Sequence, residues 1–153
     1  MGNFYDSAAG IFPTGTTEVA LYHNGLYAFP KSLVKPSWRV RWIDVIGDAP
    51  DACSILDIET GDASPGTVPG WCTARDAIIH NSLFRLYCNI VTWPAVRSVV
   101  RRDLTDNQRI RVRYWIANPT GIPHLVPGSS ATQYLWEKEW DESYYNNTWE
   151  SPA

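Results

Sequence analysis

Apolar residues in this sequence fall into seven strand-length runs, most of them closed by a turn signal, and none is long enough for an extended helix. The runs cover residues 3–7, 18–23 (EVALYH), 39–46 (RVRWIDVI), 53–59 (CSILDIE), 83–89 (LFRLYCN), 109–118 (RIRVRYWIAN) and 131–136 (ATQYLW). The first is stopped by a loop with Gly10, Pro13 and Gly15, and the next three by Asn24-Gly25, Gly47-Asp48 and Thr60-Gly61-Asp62. Two helical segments separate the fourth, fifth and sixth runs. One spans about 70–82, with Trp71, Ala74 and Ile78 on a common face. The other starts at Thr92 as N-cap with Pro94 in its first turn, and places Trp93, Val96, Val99 and Val100 at helical spacing. Strand–helix–strand order over 53–118 requires crossovers, and crossovers imply parallel pairing in an α/β fold. Polar residues gather where runs end, at Asp6-Ser7, Asp57, Glu59, Asn89 and Asn118. In parallel sheets and barrels that is where ligand sites form.

At 153 residues and 17.3 kDa the chain suits one domain, residues 1–153, rather than two. Its 19% charged and 44% apolar residues are a globular composition. Thirteen Lys and Arg stand against 16 Asp and Glu, a net charge of −3, with no basic run beyond Arg101-Arg102, which argues against a nucleic-acid partner. No stretch approaches the roughly 20 apolar residues of a membrane span. The N-terminus shows no basic-then-apolar segment, so no signal peptide is expected and the chain is expected to be made in the cytoplasm. Cys53, Cys72 and Cys88 lack CxxC spacing and read as small buried thiols. His23, His80 and His124 are scattered, and Ser7 and Ser143 have no His/Asp arrangement around them. Neither a metal site, a cofactor nor a serine nucleophile is expected. Arg97, Arg101 and Arg102 read as a solvated helix edge.

The sharpest local signal is Ile55-Leu56-Asp57-Ile58-Glu59. Strand alternation sends Asp57 and Glu59 to one face and Leu56 and Ile58 to the other. Two neighbouring acids at the end of an apolar strand raise one another's pKa, leaving one protonated beside an ionised partner. Glycosidic bond cleavage needs that division of roles. Taken alone, so short and common a motif reads more readily as two solvated surface charges.

Other motifs extend the pattern. The first run ends Phe4-Tyr5-Asp6-Ser7, and the strand after D-x-E carries Leu86-Tyr87-Cys88-Asn89. A later one reads Tyr114-Trp115-Ile116-Ala117-Asn118. Thr132-Gln133-Tyr134 is then followed by Asp141-Glu142-Ser143. Their order resembles the family-25 glycoside hydrolases, lysozyme-like muramidases of bacteria and their bacteriophages, and most of all the reduced forms in actinobacteria and actinophages. The resemblance runs from about residue 3 to 145. It implies a TIM-like (β/α) barrel with an acidic groove at the C-terminal ends of its strands. Glu59 would be the proton donor, and Asp57 the nucleophile or the orienter of the substrate's acetamido group. Asp6 and Asp141 would complete the acidic set, with Tyr87, Trp115, Gln133 and Tyr134 binding substrate.

Two features depart from that family. An eight-fold barrel usually needs about 200 residues or more, so several helices must be short or missing. The last Asp sits in Trp140-Asp141-Glu142-Ser143 and lacks the family's Asp-x-Asn ending. The resemblance implies a peptidoglycan hydrolase, or else a catalytically silent hydrolase-like domain serving in a phage virion or binding cell wall. Expected partners are accordingly cell-wall glycan or phage structural proteins, with homo-oligomer or virion assembly left open.

Residues 136–153 form an aromatic, acidic tail whose rings must bury against the barrel base or against a partner or glycan. Trp149, four residues from the end, is the ring expected to serve as an external anchor.

Overall fold

Eight strands close on themselves in sequence order: β1 (Gly2–Asp6), β2 (Glu18–Tyr22), β3 (Arg39–Asp44), β4 (Ile55–Asp57), β5 (Phe84–Asn89), β6 (Val112–Ala117), β7 (Ala131–Trp136) and β8 (Asp141–Tyr145). The computed structural model describes residues 1–151. Neighbours from β1 to β7 pair in parallel, while β8 runs antiparallel to both β7 and β1 and closes the barrel. Three helices accompany them: α1 (Val68–Ile78) after β4, then α2 (Trp93–Asp103) and α3 (Asp106–Arg109) after β5. The fold is thus a closed mixed barrel with few helices. The strict strand–helix alternation of a TIM barrel is absent, and β1, β2 and β3 are followed by loops.

Strand alternation divides the apolar residues into two cores. Ile55, Tyr87, Trp115 and Ala131 point into the barrel and pack with Phe4, Ala20, Ile43 and Tyr145. Leu56, Leu86, Cys88 and Ile116 point outward and are covered by Trp71 and Cys72 of α1 and by Trp93, Val96 and Val100 of α2. Helices are found where the outer face is apolar. All three cysteines are free and lie in this outer core.

The helix after β4 begins earlier than its periodicity suggests and buries a different face. Val68, Trp71, Cys72 and Arg75 face inward, while Ala74 and Ile78 are exposed. Arg75 decides the rotation, because its guanidinium donates to the carbonyls of Pro50, Cys53 and Leu83 and ties α1 to the barrel wall. β3 stops two residues short of the expected run. The Asp44 carboxylate accepts the N–H groups of Ile46, Gly47 and Ala49 and turns the chain there. Gly47 makes that turn at φ +89°, where a Cβ would also meet Thr67 at 2.5 Å.

The tail corrects two expectations. Residues 141–145 are the closing strand, which escaped notice because its inward positions, Asp141, Ser143 and Tyr145, are not uniformly apolar. Trp149 is no external anchor. It is fully buried, stacked on Phe4 at 5.5 Å with planes 6° apart, and plugs the end of the barrel where the parallel strands begin. Around it stand three inward arginines. Arg41 bonds Glu18 and Glu150, Arg85 donates to the Trp149 carbonyl, and Arg113 donates to the carbonyls of Thr148 and Ser151. Residues 152–153 of the expected tail lie outside the described residues.

Candidate active site

At the opposite end, the C-terminal mouth of the parallel strands, four carboxylates converge. Asp6 is the last residue of β1, Asp57 the last of β4 and Asp141 the first of β8; Glu59 follows β4 by two residues. Asp6 and Asp57 are buried, whereas Glu59 and Asp141 are partly accessible. Oxygens of Asp57, Glu59 and Asp62 lie within 4.8 Å of one another.

Gln133 organises one side of this cluster. Its amide nitrogen donates to both oxygens of Asp6, at 3.0 and 3.2 Å, and reaches Asp141 at 3.5 Å. Its carbonyl accepts from the Tyr87 hydroxyl at 2.9 Å and from the Trp136 indole at 2.7 Å. Two donors on the oxygen and two carboxylates on the nitrogen leave the amide only one sensible orientation. Trp115 lies a layer below, 1% exposed, against Tyr87 with ring centroids 4.4 Å apart, and donates to Ser143 at 2.9 Å. It supports Tyr87 and presents no surface to a ligand. Tyr134 does not join the acids. One residue past the inward Gln133, it occupies the outer face of β7 with Glu142 and Tyr5.

The electrostatics follow from burial without compensation. Asp57 is pushed well above the usual carboxylate range by burial and then by the charges of Glu59, Asp62 and Asp6. Burial and the nearby Asp141 raise Asp6 likewise, with the Gln133 amide offsetting part of the effect. Glu59 is raised by burial and Asp62, against the pull of the Tyr87 hydroxyl, and burial lifts Asp141 to about 6. Protons at this mouth belong to the group rather than to one acid, and they are held to higher pH than on free carboxylates.

Three contributors escaped sequence reasoning. Tyr22, the last residue of β2, stands among the acids, whose charges together with burial raise its hydroxyl pKa. Trp136 holds Gln133, and Asp62 reaches back to the D-x-E pair. Strand ends would have located Tyr22; nothing local marks the other two. A cavity of about 380 Å³ between Ser7 and Glu137–Asp141 opens beside Asp141. It shares Ala8, Ala9 and Tyr27 with a larger one of about 960 Å³ lined by Phe12, Phe29 and Trp38. Together they extend the mouth into a groove.

The arrangement can hold and deliver a proton beside an ionised carboxylate. Compared with protein-family models, with curated proteins and with solved structures, the chain finds no match in any of the three.

Proposed function

We propose that this barrel is a peptidoglycan glycoside hydrolase of the muramidase type, a reduced relative of family 25 cleaving bacterial cell-wall glycan between N-acetylmuramic acid and N-acetylglucosamine. The observation that carries the reading is the Asp57–Glu59 pair, with carboxylate oxygens within 4.8 Å at the strand-end mouth of a closed barrel. Glu59, half-buried and raised in pKa, keeps a proton to give to the glycosidic oxygen as the bond to the leaving sugar breaks. Asp57, one oxygen without a hydrogen-bond partner, faces the carbon left electron-poor, as nucleophile or through the acetamido group. Asp6, Asp141 and Gln133 maintain the negative field, and the aromatic groove beside Asp141 offers rings for sugars to stack on. Expression from a phage, as virion component or at lysis, belongs to the same proposal.

Turbidity clearing of actinobacterial cell walls tests it. Glu59→Gln should lower the rate by about 100- to 10,000-fold, since an amide cannot supply the proton. Its melting temperature should hold or rise, because one repelling charge is gone. Equal clearing by both proteins would remove Glu59 from the mechanism and favour a hydrolase-shaped barrel that only binds or builds.

A further inference from the structure

Asp57, Glu59 and Asp62 form a triangle of carboxylates whose oxygens lie within 4.8 Å of one another. The turn after β4 builds it. The Asp62 N–H bonds the Glu59 carbonyl at 3.1 Å, Gly61 turns at φ +96°, and the chain brings Asp62 back beside the strand end. Asp57 is only 3% exposed, yet its Oδ1 has no hydrogen-bond partner among the described residues. A buried carboxylate oxygen without a donor is costly, and native proteins seldom leave one so. No ion pair among the described residues involves these three acids: the paired arginines, Arg39, Arg41, Arg85, Arg102, Arg109 and Arg111, meet Glu18, Asp76, Asp103, Asp106 and Glu150. A positive charge from outside the chain would supply that partner.

We propose that Asp57, Glu59 and Asp62 bind a calcium-type divalent cation, with Asp57 Oδ1 as the inner ligand and water completing the shell on the exposed Asp62 side. An all-oxygen, all-carboxylate set selects a hard ion over zinc or copper. Calcium, with bonds of about 2.3–2.6 Å and a flexible coordination geometry, suits an irregular carboxylate triangle with one exposed member. Magnesium demands a near-ideal octahedron at about 2.0–2.1 Å and keeps its waters. The site shares two carboxylates with the proposed hydrolase but does not depend on hydrolysis.

Calorimetric titration of the full chain with calcium chloride, alongside thermal melts, tests the site. One saturable calcium per chain is expected, with a dissociation constant on the order of 0.1–1 mM and a melting temperature that climbs with calcium. Asp62→Asn, at an exposed position that folding does not need, should weaken binding by about ten-fold or more. Asp51→Asn, an exposed acid outside the triangle, should bind as the wild type does, and magnesium should bind more weakly than calcium. Absence of saturable binding up to about 10 mM calcium, or undiminished binding by Asp62→Asn, overturns the proposal. Wall clearing measured in chelator reports on the hydrolase reading separately, so either can fail alone.

Discussion

The two ends of this barrel carry opposite charges and treat them differently. At the floor, Arg41 and Arg85 meet Glu18 and Glu150 and a backbone carbonyl, although Arg41 Nη1 and the Trp149 indole N–H have no partner among the described residues. At the mouth, Asp6, Asp57, Glu59 and Asp141 face one another with one amide and no cation among the described residues. Burial acts on both ends, lowering Arg85 to about 10 and raising Asp57, but the floor offsets its cost with ion pairs and the mouth only with neutral donors at Asp6 and Glu59. One end is held by ion pairs and the other gathers like charges. The contrast recurs between adjacent strand ends. Asp44, on β3, is fully buried, which alone would raise its pKa. Donors from Asn24, Ala49, Gly47 and the Trp71 indole outweigh burial and keep it ionised. Asp57, on β4, has no such set. Identical side chains one strand apart become a fully hydrogen-bonded structural anion and a buried carboxylate with one oxygen left without a donor.

Emptying the floor gives the largest effect expected. Trp149→Ala removes the plug stacked on Phe4 and should cost about 3–5 kcal/mol. That lowers the melting temperature by roughly 10 °C for a chain of this size. A tryptophan replaced without thermal cost would mean that the floor is not core after all.

Next come the two aspartates, in opposite directions. Asp44→Ala strands the N–H donors of Asn24, Gly47, Ala49 and Trp71 and should destabilise by about 3 kcal/mol in urea melts. Asp57→Asn relieves repulsion at the mouth and should be neutral or stabilising by about 1 kcal/mol. Equal losses at both positions would erase the distinction drawn between them.

The smallest effect is a dependence on pH. Asp6, Asp57, Glu59 and Asp141 have folded pKa values above their unfolded ones, so the folded state binds more protons and is favoured as pH falls. For Asp141 this window runs from about 6 down to the ordinary 3.8. Asp44 and Asp76 are shifted downward, and their contribution is lost only as pH drops below the ordinary carboxylate range. Melting temperature should therefore rise by a few degrees between about pH 7 and pH 4 and fall below that. A steady decline from pH 7 to 5 would show that the mouth acids are ionised without penalty.

Much of the middle of the molecule can be read locally. β5 and β6 flank α2, whose Trp93, Val96, Val99 and Val100 face the barrel as their spacing dictates, and β4, β5 and β6 pair in parallel. The D-x-E acids stand together at a strand end. Hydropathy could not find the inward face of α1, since Arg75 occupies a buried position on the strength of its carbonyl partners. Nor could it find β8, whose partners on β1 lie well over a hundred residues away in the chain.

By itself, the sequence determined strand spacing, the parallel central pairings and the adjacency of Asp57 and Glu59, because turn residues and period-two alternation act within a few residues. Only tertiary structure decided which acids share a mouth, that Gln133 bridges Asp6 and Tyr87, and that Trp149 closes the floor. Those outcomes depend on barrel closure between β1 and β8. Closure sets the burial, and burial without a donor or cation raises a carboxylate's pKa above that of one that merely faces water.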